Sequence, residues 1–423
     1  MFKSTSTIAR GVGRLSNMVL TKGSGSFVWN MEGQKLLDFT SGIAVTSLGH
    51  CHPRIVEAVQ KQAAELVHGQ TSVAYHEPML KYASALLPLL PRRMDSLCFF
   101  TTGAEAVENA VKLARHATEK PNVIVFQGGF HGRSVGAMSL TSSKTIYKAG
   151  FGPLMSGVFV MPYPYTLHSP FSDPAECSAW CLEQVELALK QQTAPSETAA
   201  MLIEPILGEG GYVAPPPGFL QGLSSLCYEH DILLIADEVQ CGFGRTGSMF
   251  AIDGQYDVVP DILVMAKGIA NGYPLSVIAS RNELTDLQPP GSMGGTYAGN
   301  AVSCAAALAT LDAFEEENTL INASVRGAQL VAGLTKLQDL FPILDVRGVG
   351  LMVAVEFDKS VPPGTVSRIC QACVEYGMLL LPTSVFETVR FIPPLNVSEG
   401  EIDLGIAIFA KAMSQVLAPS TPQ

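Results

Sequence analysis

The chain has 423 residues, 47% of them hydrophobic, enough to bury a large core shared between two or more domains. Asp and Glu number 38 against 27 Lys and Arg, a formal charge of −11 with no basic cluster, which argues against nucleic acid or an anionic membrane as a partner. No apolar run approaches the ~18 residues of a membrane span, and the most apolar long stretch, 301–311, reads as a core helix.

Along the chain, the first acidic residue is Glu32, preceded by Lys3, Arg10, Arg14 and Lys22 among many Ser and Thr. That composition resembles a mitochondrial presequence. Gly11 and Gly13 weaken an amphipathic helix there, so a flexible arm on a cytoplasmic protein is the expectation and import to the matrix the alternative. Short apolar runs at 96–101, 123–126, 201–205, 232–236 and 261–265 read as buried strands, separated by helical patterns such as 104–118 and 219–230. Such alternation predicts an α/β fold with a mostly parallel central sheet covered by helices. In these sheets working groups collect just beyond the carboxyl ends of strands, and Gly103, His131, Glu204, Asp237 and Lys267 stand at such places. From about Glu315 the pattern becomes helix, hairpin and helix, a smaller α+β domain. The division expected is an arm over 1–44, a large domain over 45–312 and a small one over 313–423, with a disordered tail at 418–423.

Nine scattered cysteines, an odd number, suggest reduced thiols. Cys370 and Cys373 share one face of a helix predicted over 365–376, and no second pair or nearby His completes a zinc site. A buried helix face is the reading, and no metal is expected.

Two familiar motifs compete for attention. Gly242-Phe-Gly244-Arg-Thr-Gly247 matches a dinucleotide fingerprint, but it opens no convincing helix and sits mid-chain, so it reads as a glycine-rich loop. Gly132-Arg-Ser134-Val-Gly136 matches a hydrolase nucleophile elbow. A triad on Ser134 would need an acid and a later His, and only His168 and His230 follow it. A serine hydrolase is thus the alternative from another class.

A third constellation is an Asp at one strand end and a Lys at another. The run 232–236 delivers Asp237, and 261–265 delivers Lys267. Buried charges at such positions need partners, and an ion pair between the two would be one solution. A pyridoxal-phosphate (PLP) site would use the same two groups apart, the carboxylate on the pyridine nitrogen and the amine on the aldehyde carbon. Ala236-Asp-Glu-Val-Gln240, Gly244-Arg-Thr-Gly247 and Ala266-Lys267-Gly268 resemble the class III aminotransferases of PLP fold type I. The resemblance runs from Asp38-Phe-Thr-Ser-Gly-Ile43 to Val389-Arg390-Phe391, nearly the whole chain.

The resemblance implies that Lys267 carries the cofactor as a Schiff base and that Asp237 holds the ring nitrogen. It places the cofactor phosphate at Gly103 and Ala104, where a helix begins, and a ring-stacking aromatic at Phe130 in Phe130-His131-Gly132. Val239 would cover the other ring face, Gln240 would bond the ring hydroxyl, and Glu204 would stand behind. Gly295-Thr296-Tyr297 resembles the stretch whose Thr reaches the phosphate of the neighbouring subunit, which implies a homodimer, with a dimer of dimers as the larger assembly. Arg133 would bind the distal carboxylate of the substrate. Glu209 would neutralise Arg390 when an ω-amino acid is bound and release it for the α-carboxylate of a keto acid such as 2-oxoglutarate. Ile43, where ornithine-specific relatives tend to place a tyrosine, disfavours ornithine. The expected donor is 4-aminobutyrate or a close ω-amino acid, with acetylornithine next.

Overall fold

The computed structural model describes residues 7–418, so Lys3 in the presequence-like segment, and the tail from 419 on, lie outside the described residues. Seven strands form the main sheet in the spatial order Ser96–Phe100, Ser276–Ser280, Ile262–Met265, Leu233–Asp237, Thr198–Ile203, Asn122–Phe126, Val158–Met161. Ser276–Ser280 runs antiparallel to both neighbours, and the other adjacent pairs are parallel. The predicted mostly parallel sheet is present.

Alternation along each strand feeds two cores. Val123 and Val125 face a cluster with Ala106, Val107, Ala110 and Leu113 of the helix Gly103–Thr118. Ile124 and Phe126 face the opposite cluster, with Phe219, Leu220 and Leu223 of the helix Phe219–Glu229. Both faces are covered, which is why the central strands read as unbroken apolar runs.

The smaller part has an antiparallel sheet in the order Ile343–Val349, Met352–Phe357, Thr388–Phe391, Leu381–Thr383. The helices Thr319–Thr335, Thr365–Glu375 and Glu399–Leu417 pack around it. The N-terminal arm is strand-forming from Leu20: Leu20–Ser24, Phe27–Asn30 and Lys35–Asp38 make a sheet that Met378–Leu379 joins in parallel with Lys35–Asp38. Cys370 and Cys373 are fully buried free thiols on Thr365–Glu375, as a core-facing helix face requires. Among the described residues no helix is long and apolar enough to cross a membrane.

The glycine-rich loop 242–247 is a joint between the two parts. Arg245, 2% exposed, donates from Nη1 to the carbonyls of Leu351 (3.1 Å) and Pro393 (2.6 Å), and its own carbonyl accepts from Leu351 N at 2.9 Å. Gly350 presses on that loop, and a Cβ on Gly327 in the helix behind would lie 2.1 Å from the Gly350 carbonyl oxygen. Alanine normally favours a helix over glycine by about 1 kcal/mol, but here the backbone contact leaves no room. Gly327→Ala is therefore expected to destabilise the protein by about 1–3 kcal/mol, read as a lowered midpoint of thermal or urea unfolding.

Candidate active site

A cleft of about 540 Å3 opens beyond the carboxyl ends of the parallel strands. Every site residue anticipated from the sequence lines it except Thr296. Thr296 is exposed, and its carbonyl accepts from His68 Nε2 at 2.7 Å. A larger cavity of about 750 Å3 lies at the opposite strand ends, around Arg92, Asp231 and Arg281, and gathers none of these groups.

Asp237 ends its strand 2% exposed. His131 Nδ1 lies 2.7 Å from Asp237 Oδ2, and Val239 N donates to Asp237 Oδ1 at 3.1 Å. The carboxylate is thus fixed before any ligand arrives. The chain beyond it is anchored by buried Glu238, which accepts from Ala251 N (3.0 Å) and Ile252 N (2.6 Å). Glu204 accepts from Phe130 N at 2.7 Å and Gly208 N at 2.8 Å, tying the aromatic segment to the Glu209 loop. Burial pushes the Glu204 carboxyl up, with His131 opposing and Asp237 adding to the rise.

Lys267 follows the strand Ile262–Met265 with φ +50, in the left-handed region, which aims its side chain into the cleft. Burial lowers its amine pKa; Glu209 opposes that shift and Arg390 reinforces it. The pair with Asp237 that spacing alone left open does not form: no hydrogen bond or ion pair joins Lys267 to Asp237 among the described residues. Ile43 enters the cleft from an unusual turn, with Ser41, Gly42, Ile43 and Ala44 all at positive φ. For a β-branched residue this is strained backbone. Asp38 holds the turn by accepting from Thr40 N (2.9 Å) and Ser41 N (3.2 Å).

On the next wall, Thr102 caps the helix Gly103–Thr118, its hydroxyl accepting from Glu105 N at 3.2 Å. The first N–H groups of that helix have no intrahelical acceptor and present a positive end to the cleft. A Cβ on Gly103 would meet Val239 Cγ1 at 3.0 Å, and one on Gly132 (φ +134) would meet Ala104 Cβ at 2.6 Å. Glycine at both positions keeps the cradle open. Gln240 turns its Oε1 to the Tyr212 hydroxyl at 2.8 Å.

Arg390 lies on the strand Thr388–Phe391 of the small sheet, 4% exposed, and its Nη1 pairs with Glu209 Oε1. Arg390 Nε is buried without a hydrogen-bond partner, as is His131 Nε2. Burial alone would push Glu209 up; Arg390, then Lys267 and Lys144, outweigh it and hold the carboxyl below its ordinary range. Arg133 is exposed at the rim, stacked over Tyr147 at 5.4 Å.

The hydrolase alternative is not assembled. Ser134 Oγ donates to Glu108, while His168 pairs with Glu356 and stacks on Phe386. His230 sits at the end of the helix Phe219–Glu229. Sequence reasoning missed Tyr147, which lines the cleft edge-on to Phe130 at 5.1 Å, on the short turn Thr145–Tyr147. Its only signal was a short polar loop after the helix Val135–Leu140, with no motif around it.

Comparison with known proteins fits this geometry. Residues 7–413 match the family model described as aminotransferase class III. The chain is 39% identical to the 5-aminovalerate aminotransferase of Pseudomonas putida and 39% identical to the 4-aminobutyrate aminotransferase of Escherichia coli, each match covering 98% of both proteins. A PLP-bound amine transaminase from an uncultivated Pseudomonas species superposes with a TM-score of 0.90 at 31% identity, over 95% of each chain. The chain belongs to the class III aminotransferases. It is a PLP-dependent transaminase of fold type I.

The residues present fit that cofactor. A fixed buried carboxylate, a lysine amine, an apolar slot between Phe130 and Val239 and an open helix N-terminus all face one space. The Glu209–Arg390 pair also gives the fold a pH signature. Because Glu209 lies below its ordinary value of 4.5 when folded, its stabilisation is present above that pH and is lost as the pH falls through the folded value. Glu209→Leu, which leaves Arg390 buried and unpaired, should cost about 3–5 kcal/mol at neutral pH and flatten the acid limb of the unfolding midpoint against pH.

Proposed function

We propose that the cleft takes an ω-amino acid as amino donor, 4-aminobutyrate first and 5-aminovalerate as its one-carbon-longer competitor. The acceptor is 2-oxoglutarate, and the products are the semialdehyde and glutamate. The observation that carries this reading is the closed Glu209–Arg390 pair beside an Arg133 that has no carboxylate partner among the described residues. A donor with one carboxylate, far from its amine, has only Arg133 to bind. The names of the relatives at 39% identity point the same way.

When bound, PLP supplies an electron sink that lets the C–H bond beside the substrate nitrogen ionise. Asp237, oriented by His131, would keep the pyridine nitrogen protonated. The Gly103 and Ala104 N–H groups would hold the phosphate, Phe130 and Val239 would flank the ring, and Gln240 would bond the ring hydroxyl. Glu204 fixes the Phe130 segment from behind. Lys267 Nζ would be the attachment point and, once displaced, would serve as the base that moves the proton; burial lowers its amine pKa, which favours the neutral form such a base needs. Arg390, freed of Glu209, binds the α-carboxylate of 2-oxoglutarate or glutamate. Ile43 narrows the donor side of the cleft.

The working unit is a homodimer, with Thr296 serving the neighbouring protomer's phosphate site; its exposure outside its own cleft supports this. A cytoplasmic setting agrees with nine free thiols and with bacterial relatives matched over 98% of the chain, which gives no support to the matrix alternative.

Steady-state rates with a panel of ω-amines and 2-oxoglutarate test the donor assignment. The highest kcat/KM should fall on 4-aminobutyrate or 5-aminovalerate; a preference for acetylornithine would displace it. Arg133→Ala should raise KM for 4-aminobutyrate by about tenfold or more, the value of a charged hydrogen bond, and leave an alkylamine without a carboxylate nearly unchanged.

A further inference from the structure

Arg133 and Arg390 both line the cleft, but they are braced differently. Arg390 is set by its pair with Glu209, whose loop is pinned through its backbone. The Glu209 carbonyl accepts from Ser384 N at 2.9 Å, and the Gly211 carbonyl accepts from Arg347 Nε at 2.9 Å and Nη2 at 2.7 Å. Arg133 has no carboxylate to hold it among the described residues and stands at the exposed rim. A long side chain left free there gives up rotamer entropy each time it takes a ligand. Its guanidinium instead rests over the face of Tyr147, with Cζ 5.4 Å from the ring centre. A cation seated on an aromatic face is held by the ring quadrupole and keeps its N–H donors for a carboxylate.

Tyr147 can serve as a seat because it is fixed itself. It is half-buried on the cleft wall, and its ring meets the Phe130 ring at 5.1 Å and 70°. The chain that leads to it is tied back to the segment carrying Phe130 and Arg133. Ser142 N and Ser143 N donate to the Gly129 carbonyl at 2.7 and 3.1 Å, and Ser142 Oγ donates to the Phe126 carbonyl at 2.8 Å. Thr141 Oγ1 accepts from His131 N at 2.9 Å and donates to the Gly132 carbonyl at 3.1 Å. Lys148 Nζ, just past Tyr147, donates to the Ser139 carbonyl at 3.2 Å. The two segments form one braced unit, and the Arg133 side chain is the part left to move. The Tyr147 ring therefore sets how far the guanidinium stands from the slot between Phe130 and Val239.

We infer that Tyr147 is a specificity-determining positioning residue, whose ring seats the Arg133 guanidinium for the distal carboxylate of the substrate. The inference rests on the reading that Arg133 binds that carboxylate. A ligand without a distal carboxylate makes no use of the seat, so Tyr147 acts on one class of ligand and acts through Arg133.

The test uses the holoenzyme with Tyr147→Leu, Tyr147→Phe, Arg133→Ala and the Tyr147→Leu/Arg133→Ala pair. Calorimetry gives the Kd of glutarate, a dicarboxylate that cannot react, and steady-state rates give KM for 4-aminobutyrate and for butylamine, which has no carboxylate. Tyr147→Leu should raise the glutarate Kd and the 4-aminobutyrate KM by about two- to fivefold, the size of a cation held on an aromatic face at an exposed site. The butylamine KM should not follow, and Tyr147→Phe, which keeps the ring, should restore both constants. In the Arg133→Ala background, Tyr147→Leu should add nothing. An equal rise for butylamine would overturn the inference by showing that Tyr147 acts on the cofactor side through Phe130. A rise that persists without Arg133, or a loss in Tyr147→Phe as large as in Tyr147→Leu, would overturn it as well. If Arg133→Ala leaves glutarate and 4-aminobutyrate unchanged, the proposed carboxylate site itself fails. If Arg133→Ala weakens both and Tyr147→Leu weakens neither, only the role of Tyr147 fails.

Discussion

Charge balance among buried groups in one cleft is the constraint on which this structure turns. Glu204, Glu209 and Asp237 share the space with Lys267 and Arg390, and none of the five is fully open to water. Four of them are held by specific neighbours: Asp237 by His131 and the Val239 N–H, Glu204 by two backbone N–H groups, and Arg390 and Glu209 by each other. The consequence for Lys267 is chemical. Its amine is buried beside Arg390 while the carboxylates are committed elsewhere, so its pKa is lowered and its nitrogen is free to act.

These five groups come from both parts of the molecule, so the parts must be locked together. Asp237, Lys267 and Glu204 follow strands of the main sheet, whereas Arg390 arrives on the small sheet. The Arg245 guanidinium, reaching from the glycine-rich loop to the Leu351 and Pro393 carbonyls, ties the segment after Asp237 to the segment after Arg390. The loop that looked like a dinucleotide fingerprint owes its glycines to this joint: a Cβ on Gly244 would crowd Leu320 at 2.9 Å, and one on Gly247 would meet Ser324 Oγ at 2.1 Å.

Much of this was legible in the sequence, for physical reasons. The strands delivering Asp237 and Lys267 are apolar runs buried on both faces, and their ends fall within a residue or so of the reading. Two strands of the main sheet were not legible. Val158–Met161 is a short edge strand, partly exposed, and lacks an unbroken apolar face. Ser276–Ser280 hides three apolar residues between serines, which are buried because they bond to the Thr102 and Asp261 carbonyls at 2.8 and 2.9 Å. The site residues carried by motifs line one cleft, Thr296 excepted. Tyr147 escaped because its place on the cleft wall comes from tertiary packing, and the Arg347 clamp on Gly211 joins residues 136 positions apart. No local pattern encodes either contact.

The most direct test of the account is the site of cofactor attachment. Borohydride reduction of the PLP-loaded protein, followed by proteolysis and mass spectrometry, should place a single pyridoxyl group on the peptide containing Lys267, with loss of transaminase activity in step. A pyridoxyl group on any other lysine, or a protein that takes none and remains active, would contradict it.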